Sequence, residues 1–133
     1  MNKDNLIKLI EPHFHNELNN YNYEVSTIKP LKLLTNTRFD LAFKLFYLDI
    51  KDKNEDFAKH IYTEHIKAFS LGSFTEPGNK EKNSIDKFIK EFDKTFEDIE
   101  NNGFDKNKTL IPLSFNSSIA NGAHRVASAI YLN

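Results

Sequence analysis

The chain has no cysteine among its 133 residues. Disulfides, thiolate nucleophiles and cysteine-ligated zinc are therefore excluded. Tryptophan is absent, and methionine occurs once. Neither sign of charge dominates: 18 Lys and Arg stand against 19 Asp and Glu, with a sequence pI near 6.5. There is no global positive field to hold nucleic acid, so that role would need a local patch. No apolar run approaches the roughly 18 residues of a membrane span. The opening Met1-Asn2-Lys3-Asp4-Asn5 carries acid early and has no apolar core, unlike a secretory signal. A cytoplasmic location is the default expectation. What is plentiful is Lys, Asn, Ile and Phe, as in AT-rich bacterial genomes. The length suits one compact domain over residues 1–133; the last helix runs to Asn133, where either the domain ends or a longer protein continues.

Apolar spacing organises the chain. Leu6, Ile7, Ile10, Phe14 and Leu18 predict a helix over residues 4–20, capped by Asp4 and interrupted at Pro12. Tyr23 to Ile28 alternates as a half-buried strand would, and Lys29-Pro30 ends it. Residues 31–37 connect to a second helix capped by Asn36 or Thr37. That helix, Phe39 to Ile50, is apolar on most sides and so is expected to be buried. Asp56 to Phe69 is a third helix, ended by Gly72, and residues 73–83 are a loop around Pro77-Gly78. Ser84 caps the clearest helix, whose stripe is Ile85, Phe88, Ile89, Phe92, Phe96 and Ile99, closed by Asn102-Gly103. The phenylalanines of that stripe read as core. The last segment reads as strand (Leu110–Leu113), turn, strand (Ser117–Asn121), glycine turn and helix. The whole suits an α+β fold with a small mixed β-sheet and surrounding helices.

The chemistry concentrates at that last helix. Gly122-Ala123-His124-Arg125 opens it. A helix start offers free N–H groups and a positive dipole end to an anion. Glycine allows close backbone approach, and arginine supplies a two-pronged phosphate ligand. Asn121, Ser118 and Ser117 precede the helix start. Arg38 and Asp40 begin the second helix. They are either a helix-start pair or a cleft pair, with Arg38 on phosphate and Asp40 on a metal or acceptor hydroxyl. Lys44 is either an i,i+4 partner of Asp40 or a further phosphate ligand. Glu76, with Lys80 and Lys82 nearby, is a solvated loop residue or a substrate-facing carboxylate. His60 and Glu64 share a helix face at i,i+4 but do not make a site alone. His65 reads as a satisfied core histidine, and His13 and His15 show no partners.

Two segments resemble the ParB/sulfiredoxin-like superfamily. Val25-Ser26-Thr27-Ile28-Lys29-Pro30 followed by Thr37-Arg38 is similar to its opening strand. The stretch from Phe88–Ile99 through Gly103, Ile111-Pro112-Leu113 and Asn121-Gly122-Ala123-His124-Arg125 is similar to its helix, strand and Gly-x-His-Arg core. The match covers about half the chain, and residues 39–83 would be a helical insertion. Gly103-Phe104-Asp105 and Leu110-Ile111-Pro112 also resemble domains associated with bacterial surface-polysaccharide loci.

The resemblance implies that Gly122, His124 and Arg125 cradle the phosphates of ATP or CTP, and that Asn121, Ser118 and Ser117 add hydrogen bonds to them. Sulfiredoxin-like members carry a reactive cysteine where this chain has Ala123, so sulfinic-acid repair is excluded. ParB proteins carry a helix-turn-helix after this core, for which there is no room. The remaining branch phosphorylates a small metabolite, with a carboxylate base. The expected function is nucleotide-dependent phosphotransfer or ATP-dependent activation, kinase- or ligase-like, on serine or a sugar-linked metabolite. Asp40 or Glu76 would act as base or hold Mg²⁺. The alternatives are a non-catalytic nucleotide- or sugar-phosphate-binding module, whose insertion docks a protein partner or neighbouring domain, and a toxin-like nuclease.

Overall fold

The computed structural model describes residues 1–133 and is built from helices. They are α1 (Lys3–Leu6), α2 (Phe39–Ile50), α3 (Glu55–Phe69), α4 (Ile85–Asn102) and α5 (Ala123–Leu132), with 3₁₀ turns at Pro12–Glu17 and Pro30–Leu33. The best-patterned helix is also the best-capped. The Ser84 hydroxyl accepts from the Lys87 N–H at 3.4 Å, and Gly103, at φ +74°, donates its N–H to the Ile99 carbonyl at 2.8 Å. Phe88, Ile89, Phe92 and Phe96 of α4 are buried. The start of α3 is capped in the same way, with Asn54 Oδ1 accepting from the Phe57 N–H.

Helix α5 lies at the centre of the packing. It touches α2, α4 and the Pro30–Leu33 turn, while α2 also packs on α3. Val126 and Ala127 are its core contribution, and the small Ala127 side chain lets its neighbours approach closely. Around it gather Leu41, Tyr47 and Leu48 of α2, Tyr62 and Ile66 of α3, Phe92 of α4, and Leu33. Tyr47, Tyr62 and Phe92 meet with ring centroids 5.1–5.8 Å apart. No helix is long and apolar enough to cross a membrane.

The expected α+β fold with a mixed sheet is overturned: there is no sheet. Tyr23 to Ile28 finds no neighbouring strand, and Val25 and Ile28 stay largely exposed. The ladder-like contacts of this stretch are a reciprocal pair at its start, Tyr23 N–H to the Met1 carbonyl and the Met1 amino group to the Tyr23 carbonyl. Alternation makes a chain fit for a sheet, but a strand exists only where a second backbone pairs with it. The hairpin before α5 shrinks to one antiparallel bridge, Leu113 with Ile119. It is flanked by Ser114 N–H to Ser118 O and Ala120 N–H to Pro112 O, at 2.9 and 2.8 Å.

The expected helix over 4–20 is also replaced by two short pieces. Asn2, not Asp4, caps α1, and Pro12 starts a separate 3₁₀ segment because it cannot continue the preceding turn. Helix α2 has no side-chain cap: the Thr37 hydroxyl bonds that of Thr35 instead, and Arg38 occupies the cap position. Helices α2 and α3, expected as an insertion over residues 39–83, share one core with α4 and α5. They are not an insertion into a sheet.

Candidate functional site

The N-terminus of α5 opens on a cavity of about 940 Å³, within the usual size of small-molecule sites. Six pieces of chain wall it: the start of the Pro12–Glu17 turn, the start of α2, the end of α3, the loop at Glu76–Asn79 with Lys82, one face of α4, and Ala120–Arg125. Arg38, Asp40, Lys44, Glu76, Asn121, Gly122, His124 and Arg125 are all brought together here. Ser118 is not. Its hydroxyl and N–H bond Asn116 Oδ1, and it serves the hairpin turn. His60 and Glu64 lie on the exposed side of α3.

Helix α5 begins without a side-chain cap. Gly122 supplies the left-handed turn at φ +93°, and a Cβ there would come within 2.6 Å of Ile111 Cδ1 and 2.8 Å of Arg125 Nη2. The first hydrogen bond of the helix is Val126 N–H to Gly122 O. The N–H groups of Ala123, His124 and Arg125 have no backbone acceptor, so they are free donors on the cavity wall.

His124 is a neutral donor rather than a charged phosphate ligand. Its ring stacks on Phe92 at 4.6 Å and 13°, and its Nε2 lies 3.1 Å from the Tyr62 hydroxyl. Burial lowers its pKa well below the ordinary value, and the surrounding charges of Lys82, Lys44 and Arg125 add to that. Burial likewise raises the Tyr62 pKa, so Tyr62 keeps its proton, and its hydroxyl shares a hydrogen bond with Nε2. In the tautomer in which Tyr62 donates, the imidazole proton sits on Nδ1, which has no protein partner and is not sealed from solvent. A neutral imidazole N–H at a helix N-terminus can polarise an oxygen without changing charge.

Four cations line the cavity, and each meets a carboxylate. Arg38 grips Asp40 with Nε and Nη2 at 2.8 and 2.6 Å, and its Nη1 donates to the Ile119 carbonyl at 2.5 Å. Burial pushes the Asp40 pKa up, but the Arg38 hydrogen bonds and the Lys44 charge outweigh it, leaving the pKa below the ordinary value. Lys82, buried under the Glu76 turn, donates to Glu76 at 3.0 Å and lies 4.6 Å over the Phe88 ring. Arg125 donates to Glu11, to the Thr109 hydroxyl and, at 3.2 Å, to the Leu110 carbonyl. The second oxygen of Glu11 is buried with no partner.

Lys44 is the fourth. It is buried, 3.7 Å from Asp40 and 3.3 Å from His65 Nε2. Burial lowers its pKa to about 8, against the opposing pull of Asp40. His65, flat against Phe43 at 4.8 Å, is pushed down to about 4 by burial and then by Lys44.

These histidines give the protein a pH dependence. Between about pH 6.5 and 4 the unfolded chain takes up a proton at His65 that the folded chain refuses. Stability is therefore complete above pH 6.5 and falls as pH drops toward 4. A urea midpoint followed from pH 7 to 4.5 is expected to fall in the native protein and to fall less in His65→Phe, which has nothing to titrate there.

Lys82, Glu11, Tyr62, Glu91 and the site role of His65 escaped the sequence. Lys82 sits in a charged loop that looks solvated, and Glu11 merely precedes a proline. Only the long-range fold, which sets Glu11 against Arg125 and Lys44 against His65, marks them. No three His, Asp or Glu side chains converge as a metal cage. No protein-family model matches the sequence, and no curated protein or solved structure proves similar to it.

Proposed function

We propose that the cavity binds the phosphates of a nucleotide and supports transfer of a phosphoryl group, kinase- or ligase-like, to a small acceptor such as a sugar-linked metabolite. One observation carries the reading. An uncapped helix start, a neutral imidazole donor and four cations drawn from three segments face a single cavity of ligand size. Free N–H groups and fixed cations are what a transferring phosphoryl group needs, since positioning and charge stabilisation supply most of that catalysis. The N–H groups of Ala123 to Arg125 and Nδ1 of His124 would take phosphate oxygens. Arg38, Lys44 and Lys82 would offset the charge.

The carboxylates support a particular way of binding. Glu11 keeps one oxygen buried without a partner, a costly arrangement that would be relieved where a phosphate took its place on Arg125 and released Glu11 to solvent. Asp40 and Glu76 face the same cavity and are the acceptor-side carboxylates of this reading. A magnesium ion would rest on one of them and on phosphate oxygens, the ordinary arrangement for this ion, and would neutralise phosphate charge. The pairing of every cation favours a second reading, a module that binds nucleotide or sugar phosphate without turnover.

The two readings separate in one experiment. Thermal unfolding is followed with ATP, CTP or pyrophosphate, with and without Mg²⁺, beside an assay for γ-phosphate release to a panel of small hydroxyl compounds. Both readings expect stabilisation, about 2.7 kcal/mol at a hundredfold excess over Kd. Lys82→Gln is expected to weaken binding roughly 10- to 100-fold, the worth of one charged hydrogen bond. Transfer to an acceptor selects the enzyme. The absence of stabilisation by every phosphate compound would overturn both.

A further inference from the structure

We propose that Lys44 is an amine nucleophile, and that the cavity takes a small aldehyde or ketone carrying an anionic group, held as an imine on Lys44 Nζ. This goes beyond phosphoryl transfer and rests only on the same cavity.

Charge around the amine is unevenly balanced. Asp40, the one carboxylate within 4 Å of Lys44, gives both oxygens to Arg38 at 2.8 and 2.6 Å. Lys44 is left at 3.7 Å, and two cations share one anion in a buried place. The amine's nearer partner, at 3.3 Å, is His65 Nε2, which is an acceptor toward an ammonium group. A protonated His65 beside a protonated Lys44 would add repulsion, and the ring is enclosed by Phe43, Tyr62 and Phe69. A desolvated lysine beside another cation is the standard setting of an amine nucleophile. With its pKa near 8, about half of Lys44 is neutral at pH 8, against well under 1% of an ordinary lysine.

The geometry also supplies the chemistry around the bond. Lys44 lines the cavity that the open start of α5 shares, so an anionic group on those N–H donors would place a carbonyl in the same space. The neutral amine adds to the carbonyl carbon, forming the C–N bond while the π electrons move to oxygen. One proton passes from the new ammonium to the alkoxide, giving the neutral carbinolamine, while His65 Nε2 orients the nitrogen by accepting its hydrogen bond. A second proton passes from the carbinolamine N–H to the hydroxyl, which leaves as water as the C=N bond forms. One amine and one carbonyl give one imine and one water, with no redox partner required.

Pyridoxal 5′-phosphate is the test probe, since it carries an aldehyde and a phosphate on a small frame. The native protein is treated with it at pH 8, reduced with borohydride, digested and mapped by mass spectrometry. Lys44 is expected to label at least ~10-fold faster than any exposed lysine. Pyrophosphate should slow that labelling, pyridoxal without phosphate should label Lys44 less, and His65→Phe should reduce the rate. Labelling spread over the exposed lysines, with Lys44 unmodified, would overturn the proposal. So would Lys44 labelling that pyrophosphate does not slow. The nucleotide shifts proposed above are read without the probe, so phosphate binding with no Lys44 adduct would sink the imine and leave the nucleotide reading standing.

Discussion

Phe92→Ala is expected to cost the protein about 3–5 kcal/mol, the usual range for emptying a buried phenylalanine site. Phe92 is fully buried, and its ring packs against Tyr47, Tyr62 and His124 at 5.5, 5.8 and 4.6 Å. These three neighbours come from α2, α3 and α5, so no single helix can move to refill the space. Urea denaturation at pH 7 measures the loss. A second effect is particular to the site. The stacked ring is part of what desolvates His124, so its removal should let the His124 pKa climb back toward the ordinary value, visible in its imidazole NMR titration. Phe96→Ala is the control. Phe96 is almost as buried but meets Tyr131 rather than a histidine, so it should lose stability and leave His124 unchanged. A Phe92→Ala loss below about 1 kcal/mol would contradict the packing described here.

Gly122→Ala is expected to cost about 2–4 kcal/mol, combining left-handed strain of roughly 1 kcal/mol with overpacking of about 1–3 kcal/mol. The new methyl would press on Ile111 and on the Arg125 guanidinium, which is pinned by Glu11, Thr109 and Leu110 and cannot step aside freely. Gly103→Ala shows backbone strain without overpacking. Gly103 has φ +74° and ψ 179°, a region open essentially to glycine alone, and nothing stands within 4 Å of its Cβ position, so a strain of about 1–3 kcal/mol applies by itself. The same substitution at Gly122 would also tilt the start of α5. Anion binding should weaken there even where the fold survives, and should be unaffected in Gly103→Ala.

The helices were legible because their signals are local. The stripe from Ile85 to Ile99, the Ser84 cap and the Gly103 stop all lie within one stretch of chain, and the helix appears where they say. Helix α2 from Phe39 to Ile50 and helix α5 after Gly122 follow for the same reason. The sheet failed because pairing is not local. Tyr23 to Ile28 has the alternation of a strand and no partner. At the site, Arg38, Asp40, Lys44 and the Gly122–Arg125 turn were readable from residue type beside helix starts. The character of His124 was not. The sequence shows an imidazole beside an arginine, while Phe92 and Tyr62, 32 and 62 positions away, decide that it is neutral. Lys82 and Glu11 depend in the same way on what the fold sets beside them.

An anion site at the open start of α5 is tested most directly by an amide NMR titration of the uniformly ¹⁵N-labelled protein with pyrophosphate at pH 7. Saturable shifts are expected, centred on the N–H groups of Ala123, His124 and Arg125, with smaller ones at Arg38 and Lys82. Shifts that are absent there, or that spread evenly over exposed lysines without saturating, would contradict it.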